Sequence, residues 1–124
     1  MNLVKRCFFI GPTKKILSAM PDEVKTAVGN SLYLAQTGKE AGNVKALKGF
    51  GGRGVLEVVE DFDGNTYRAV YTVRYATNVY VLHVFQKKSK SGVATPKYEI
   101  ELIKSRLMVA EAHYRNLLQR GVGT

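Results

Sequence analysis

The sequence predicts a small α+β domain in the order β-α-α-β-β-β-α, with the N-terminal helices packed on one face of an antiparallel sheet and a further helix at the C-terminus. Three observations predict it. Residues 55–86 hold three β-rich runs separated by turn residues. Apolar residues recur at helical spacing in one segment before those runs and in another after them. The chain has 124 residues and is 45% hydrophobic, which suits a single domain spanning residues 1–124.

Residues 3–10 alternate weakly, are β-rich and predict a first strand. Lys14 to Met20 suggests a short helical piece. Pro21 is expected in the first turn of the next helix, where Asp22 and Glu23 complement its dipole. Val24, Ala27, Val28, Ser31, Leu34 and Ala35 keep helical spacing, and Gly38 ends the run. Asn43 to Gly54 is rich in glycine and reads as a loop carrying Lys45, Lys48 and Arg53. Val55–Asp61, Thr66–Tyr75 and Asn78–Gln86 read as a meander, with Asp63-Gly64-Asn65 supplying the first tight turn. Thr95 is expected to cap the last helix, with Pro96 in its first position. Ile100, Ile103, Leu107, Ala110, Tyr114 and Leu117 form its apolar stripe; His113 is expected on the solvated face and Met108 as a packing residue.

Composition excludes several classes. Cys7 is the only cysteine, so a disulfide scaffold is excluded; a lone thiol fits a reducing cytosol and a buried small side chain. No apolar run approaches the ~20 residues of a membrane span, and Cys7-Phe8-Phe9-Ile10 is too short for a signal-peptide core. His83 and His113 are the only histidines, and no metal site or cofactor is expected. The charge is more telling. Nineteen Lys+Arg stand against ten Asp+Glu, a formal charge of +9. Between Gly64 and Tyr98 lie Arg68, Arg74, Lys87, Lys88, Lys90 and Lys97 with no carboxylate, which suggests a polyanionic partner, nucleic acid above all.

Period-two geometry divides the meander. One face carries Tyr67, Ala69, Tyr71, Val73, Leu82, Val84, Leu56 and Val58, and is expected to take the helices. The other carries Arg68, His83, Phe85 and Lys87, and is expected to stay open, with Arg68 opposite Phe85 if Tyr75 faces Asn78. A guanidinium, an imidazole, an aromatic ring and an ammonium there suit a phosphodiester site. The alternative is a cross-strand ion pair of Arg68 with Asp61 or Glu57, and a half-buried His83.

The segment Leu47-Lys48-Gly49, the strand Tyr67-Arg68-Ala69-Val70-Tyr71, and the run Leu82-His83-Val84-Phe85-Gln86-Lys87-Lys88-Ser89 followed by Thr95-Pro96 resemble the RelE/HigB toxin superfamily, in its phage-derived HigB-like branch. The resemblance covers nearly the whole chain. It implies a RelE-like fold and the toxin of a type II toxin–antitoxin pair: a cytoplasmic, ribosome-dependent mRNA endoribonuclease, neutralised by a cognate antitoxin, often of helix-turn-helix type. By that resemblance Arg68 sits at the scissile phosphate, Lys48 in the basic loop, and Lys87 and Lys88 in the basic run closing the site. His83 and Phe85 belong to the same motif.

In the mechanism this implies, a ribose 2′-OH attacks the adjacent phosphate. Arg68 and Lys87 offset the charge of the transition state, His83 acts as acid or base, and Lys48 assists. Phe85 stacks on a base, while Lys45, Lys88, Lys90, Arg74 and Lys97 hold phosphates. A ParE-like gyrase poison and a non-catalytic nucleic-acid-binding phage protein are the rival readings.

Overall fold

Strand β1 covers Arg6–Phe9, and the chain then turns through helices α1 (Thr13–Ser18) and α2 (Asp22–Gln36). Strands β2 (Val44–Ala46), β3 (Val55–Phe62), β4 (Asn65–Thr72) and β5 (Asn78–Lys87) follow, and helix α3 (Lys97–Gln119) ends the order. The structure is a computed structural model and describes residues 4–52, 54–87 and 95–121. Arg53, Lys88 and Lys90 lie outside the described residues.

The α+β reading holds, with two changes in the sheet. The five described strands run in the order β1-β5-β4-β3-β2. β1 lies at one edge parallel to β5, so the sheet is mixed rather than antiparallel throughout. The second change is β2, three residues within the glycine-rich segment, which pair antiparallel with β3 and set Lys45 opposite Glu57. A run this short, next to glycines, has no period of its own to read.

The β3–β4 turn is built as the sequence implies. Asp63 and Gly64 take φ of 51° and 79°, the left-handed pair that a two-residue hairpin of this twist needs. From there the pairing brings Arg68 opposite Phe85 and Val70 opposite His83, and then shifts: Tyr71 pairs with Val81. Leu82 is the extra residue of a bulge, and beyond a bulge the alternation of faces reverses. Val79 and Val81 therefore pack on the α2 side, while Tyr80 and Leu82 pack on the α3 side. Leu82 was expected on the tyrosine-rich face, and the bulge moves it.

Both faces of the sheet are covered. Val24, Val28, Leu32 and Ala35 of α2 close the face carrying Leu56, Val58, Ala69, Tyr71 and Val84. On the other face, Ile103 and Ala110 of α3, with Leu47 and Phe50 from the glycine-rich loop, pack on Val55, Val70, Tyr80, Leu82 and Phe85. The expectation of an open face fails here, because the apolar stripe of α3 needs that surface to leave water. His113 is likewise not on a solvated face: its Nδ1 lies 2.7 Å from the Tyr80 hydroxyl, and its ring packs on Phe8. Met108 is the reverse case, 71% exposed where packing was expected. Among the described residues, no helix is long and apolar enough to cross a membrane.

Candidate functional site

The register of β3 and β4 sets Glu57 opposite Val70 and Arg68 opposite Val59, so acid and guanidinium are diagonal neighbours on one face. The Arg68 Nη1 donates to Glu57 Oε1 at 3.0 Å, and the two side chains are 0% and 1% exposed. The other carboxylate oxygen, Oε2, accepts from the Thr95 hydroxyl at 2.8 Å. Arg68 Nη1 also donates to that hydroxyl at 3.3 Å. Thr95 was expected to cap α3. It instead ties the start of that helix to the sheet, and Pro96 stands at the N-cap with no side-chain cap bond. Lys45, half-exposed on β2, brings its Nζ to 3.9 Å from Glu57 Oε1.

This is the ion-pair alternative, with Glu57 rather than Asp61 as partner; Asp61 accepts from Thr66. A buried ion pair is a poor source of net stability, but breaking it strands a charge, at a cost of about 3–5 kcal/mol.

The pair forms the floor of a cleft of about 530 Å³. Lys45 to Gly49 make one wall; Thr95, Lys97, Ile100, Glu101 and Lys104 make the other. The structure thus brings together Arg68, Lys45 and Lys48. Lys87 belongs to the same electrostatic neighbourhood. It pairs with Thr66, on the same face as Arg68 and one pleat away. Burial and the Arg68 charge hold its ammonium below the usual lysine range, with Glu57 opposing.

Three further expected residues stand elsewhere. His83 is only 6% exposed, and α3 engages both of its nitrogens. Arg106 Nη1 lies 3.1 Å from Nδ1, and Glu99 Oε1 lies 3.1 Å from Nε2. Because a guanidinium can only donate, Nδ1 accepts and Nε2–H donates to Glu99: the imidazole is neutral. Burial pushes its pKa down, a direction that Arg106 reinforces and Glu99 opposes. Phe85 stacks on that imidazole with ring centres 4.5 Å apart, in the cluster that packs against α3. Its expected role of stacking on a base meets a ring that is 9% exposed.

Arg74 braces the glycine-rich loop by donating to the Phe50 carbonyl at 3.0 Å. Gly54 must be glycine beneath it: φ is 121°, and a Cβ there would stand 2.7 Å from Arg74 Cγ. Of the expected phosphate contacts, Lys97 lines the cleft, Arg74 is not among its lining residues, and Lys88 and Lys90 lie outside the described residues.

Sequence reasoning missed Thr95 as a partner of Glu57, the Glu99–Arg106 bracket, and Lys104 in the cleft wall. For Lys104 a signal was present: it falls seven residues after Lys97, and so returns to the same side of the helix.

A family model described as Phage derived protein Gp49-like (DUF891) matches residues 15–108, from α1 into α3, including the cleft floor and both walls. No curated protein and no solved structure matches the chain.

Proposed function

The chain belongs to the Gp49-like family of phage-derived proteins, and from that premise we propose that it is the toxin of a type II toxin–antitoxin pair, acting as a metal-independent, ribosome-dependent mRNA endoribonuclease of RelE/HigB kind. The observation that carries the proposal is the Glu57–Arg68 pair sunk in a cleft bordered by Lys45, Lys48, Lys97 and Lys104. Cations around a fixed carboxylate suit the two demands of RNA cleavage, charge stabilisation and proton transfer.

In this reading the 2′-oxygen bonds to phosphorus, the bond from phosphorus to the 5′-oxygen breaks, and a cyclic phosphate and a 5′-hydroxyl result. Glu57 takes the 2′-OH proton. The Thr95 hydroxyl now donates to Oε2, and an entering ribose hydroxyl displaces it. Lys45 and Lys48 offset the charge on the nonbridging oxygens, and Arg68 holds the carboxylate in place. Lys87, more acidic than a free lysine, supplies the proton to the 5′-oxygen. His83 leaves the proton-transfer role, because Arg106 and Glu99 occupy its nitrogens. The partners required are the ribosome with its mRNA and a cognate antitoxin of helix-turn-helix type.

Expression in bacteria followed by mapping of mRNA 5′ ends tests this. New 5′-hydroxyl ends inside translated regions are expected, suppressed by co-expression of the neighbouring open reading frame and absent with Arg68→Ala. Growth arrest without new ends contradicts the nuclease reading. One observation favours a second reading, a non-catalytic RNA-binding protein: the Arg68 side chain is wholly out of solvent. That reading predicts salt-dependent binding and no cleavage.

A further inference from the structure

The α3 wall of the cleft carries side chains that no bond-making or proton-transfer step above uses, Ile100 and Lys104 among them. Lys97 and Lys104 are exposed, Ile100 lies between them, and all three face the wall formed by Leu47, Lys48 and Gly49. The two lysines are seven residues apart, two helical turns or about 10.5 Å along the axis. Glu101 answers Lys104 only at 4.0 Å, with side chains 59% and 48% exposed. Such a pair is worth little and yields readily to a phosphate.

Ile100 and Leu47 give the cleft an apolar waist between cationic rims. A nucleic acid strand has the complementary profile, with anionic phosphates flanking an apolar base face. In a duplex, stacking hides those faces; in a single strand they are available. The cleft volume of about 530 Å³ falls in the range that encloses one small ligand, not a double helix.

We infer that the first two turns of α3 are the substrate-positioning ridge of the cleft: Lys97 and Lys104 each hold a phosphate of single-stranded RNA, and Ile100 packs against the face of the base between them, opposite Leu47. The inference rests on the RNA reading above for its ligand and adds the residues that select single strands.

The test is equilibrium binding of the full chain, without ribosomes, to a 2′-O-methyl oligonucleotide that has no 2′-OH to attack. A failure of catalysis therefore does not touch the result. Three probes are compared: the single strand, the same sequence as a duplex, and inorganic polyphosphate. The single strand is expected to bind more tightly than the duplex. Replacing Lys97 and Lys104 together with Ala is expected to flatten the dependence of log K on log salt by about 1.4, at about 0.7 per phosphate contact. Ile100→Ala is expected to weaken the single strand about fourfold or more, the equivalent of one buried methylene, and to leave polyphosphate unchanged. Circular dichroism confirms that each variant folds. An unchanged salt slope in the double variant, equal affinity for duplex and single strand, an Ile100→Ala effect that extends to polyphosphate, or no binding by the unmodified protein would each overturn the inference.

Discussion

Glu57 and Arg68 depend on each other in a way that their separate substitution exposes. Both side chains are out of water, so Glu57→Ala leaves a guanidinium without its carboxylate, and a loss of about 3–5 kcal/mol is expected in urea denaturation. The paired change Glu57→Leu with Arg68→Met strands no charge and is expected to unfold close to the parent. His83 carries a second expectation. Its folded pKa lies below the ordinary value, so above about pH 6.5 the imidazole is neutral in both states and its contribution is complete. As pH falls from there toward the lowered folded value, the unfolded chain binds a proton that the folded chain resists, and stability is lost. Denaturation midpoints should decline over that window, and the decline should be shallower in His83→Gln. At this scale the sequence disclosed the shared face only on the turn side of the bulge, where alternation is unbroken and Arg68 lies opposite Phe85; Leu82, at the bulge, departs from it. It did not disclose burial, since Arg68, His83 and Phe85 are enclosed by a helix whose docking period-two geometry does not address.

The meander, α2 and α3 were legible as elements because each carries a long periodic run. Two shorter features were not. The bulge at Leu82 adds one residue to β5 without a glycine or any other local mark, and it reverses the faces of the residues before it. Strand β2 is held by its neighbour β3 rather than by its own composition. The loop joining β2 to β3 depends on Arg74 and Gly54 together. Gly54→Ala forces a Cβ into a left-handed conformation and against Arg74; a loss of about 1–3 kcal/mol is expected. Arg74→Ala removes the bond to the Phe50 carbonyl, and faster proteolytic nicking between residues 47 and 54 is the expected outcome. Unchanged cleavage there would mean that Arg74 does not brace the loop.

Across the whole molecule, a charge of +9 pointed to a polyanion, and the fold gathers part of that charge around one cleft, between the loop that follows β2 and the start of α3. Residues 40 to 60 positions apart in sequence make its walls, which is why Lys97 was expected only as a phosphate contact and Lys104 not at all. Arg68 lies on the cleft floor while His83 is held under α3 by Arg106 and Glu99, so in the proposed reaction proton transfer falls to Glu57 and Lys87. In the proposed function the ion pair on the cleft floor drives RNA cleavage as well as shaping the fold. Its most direct measurement is the rate at which translating ribosomes lose intact mRNA when given the purified protein or the Glu57→Leu, Arg68→Met variant, with both shown to be folded at the assay temperature. A rate lower by at least about 10²–10³-fold is expected in the variant; cleavage at the parent rate by a folded protein lacking both groups would rule the ion pair out of the reaction.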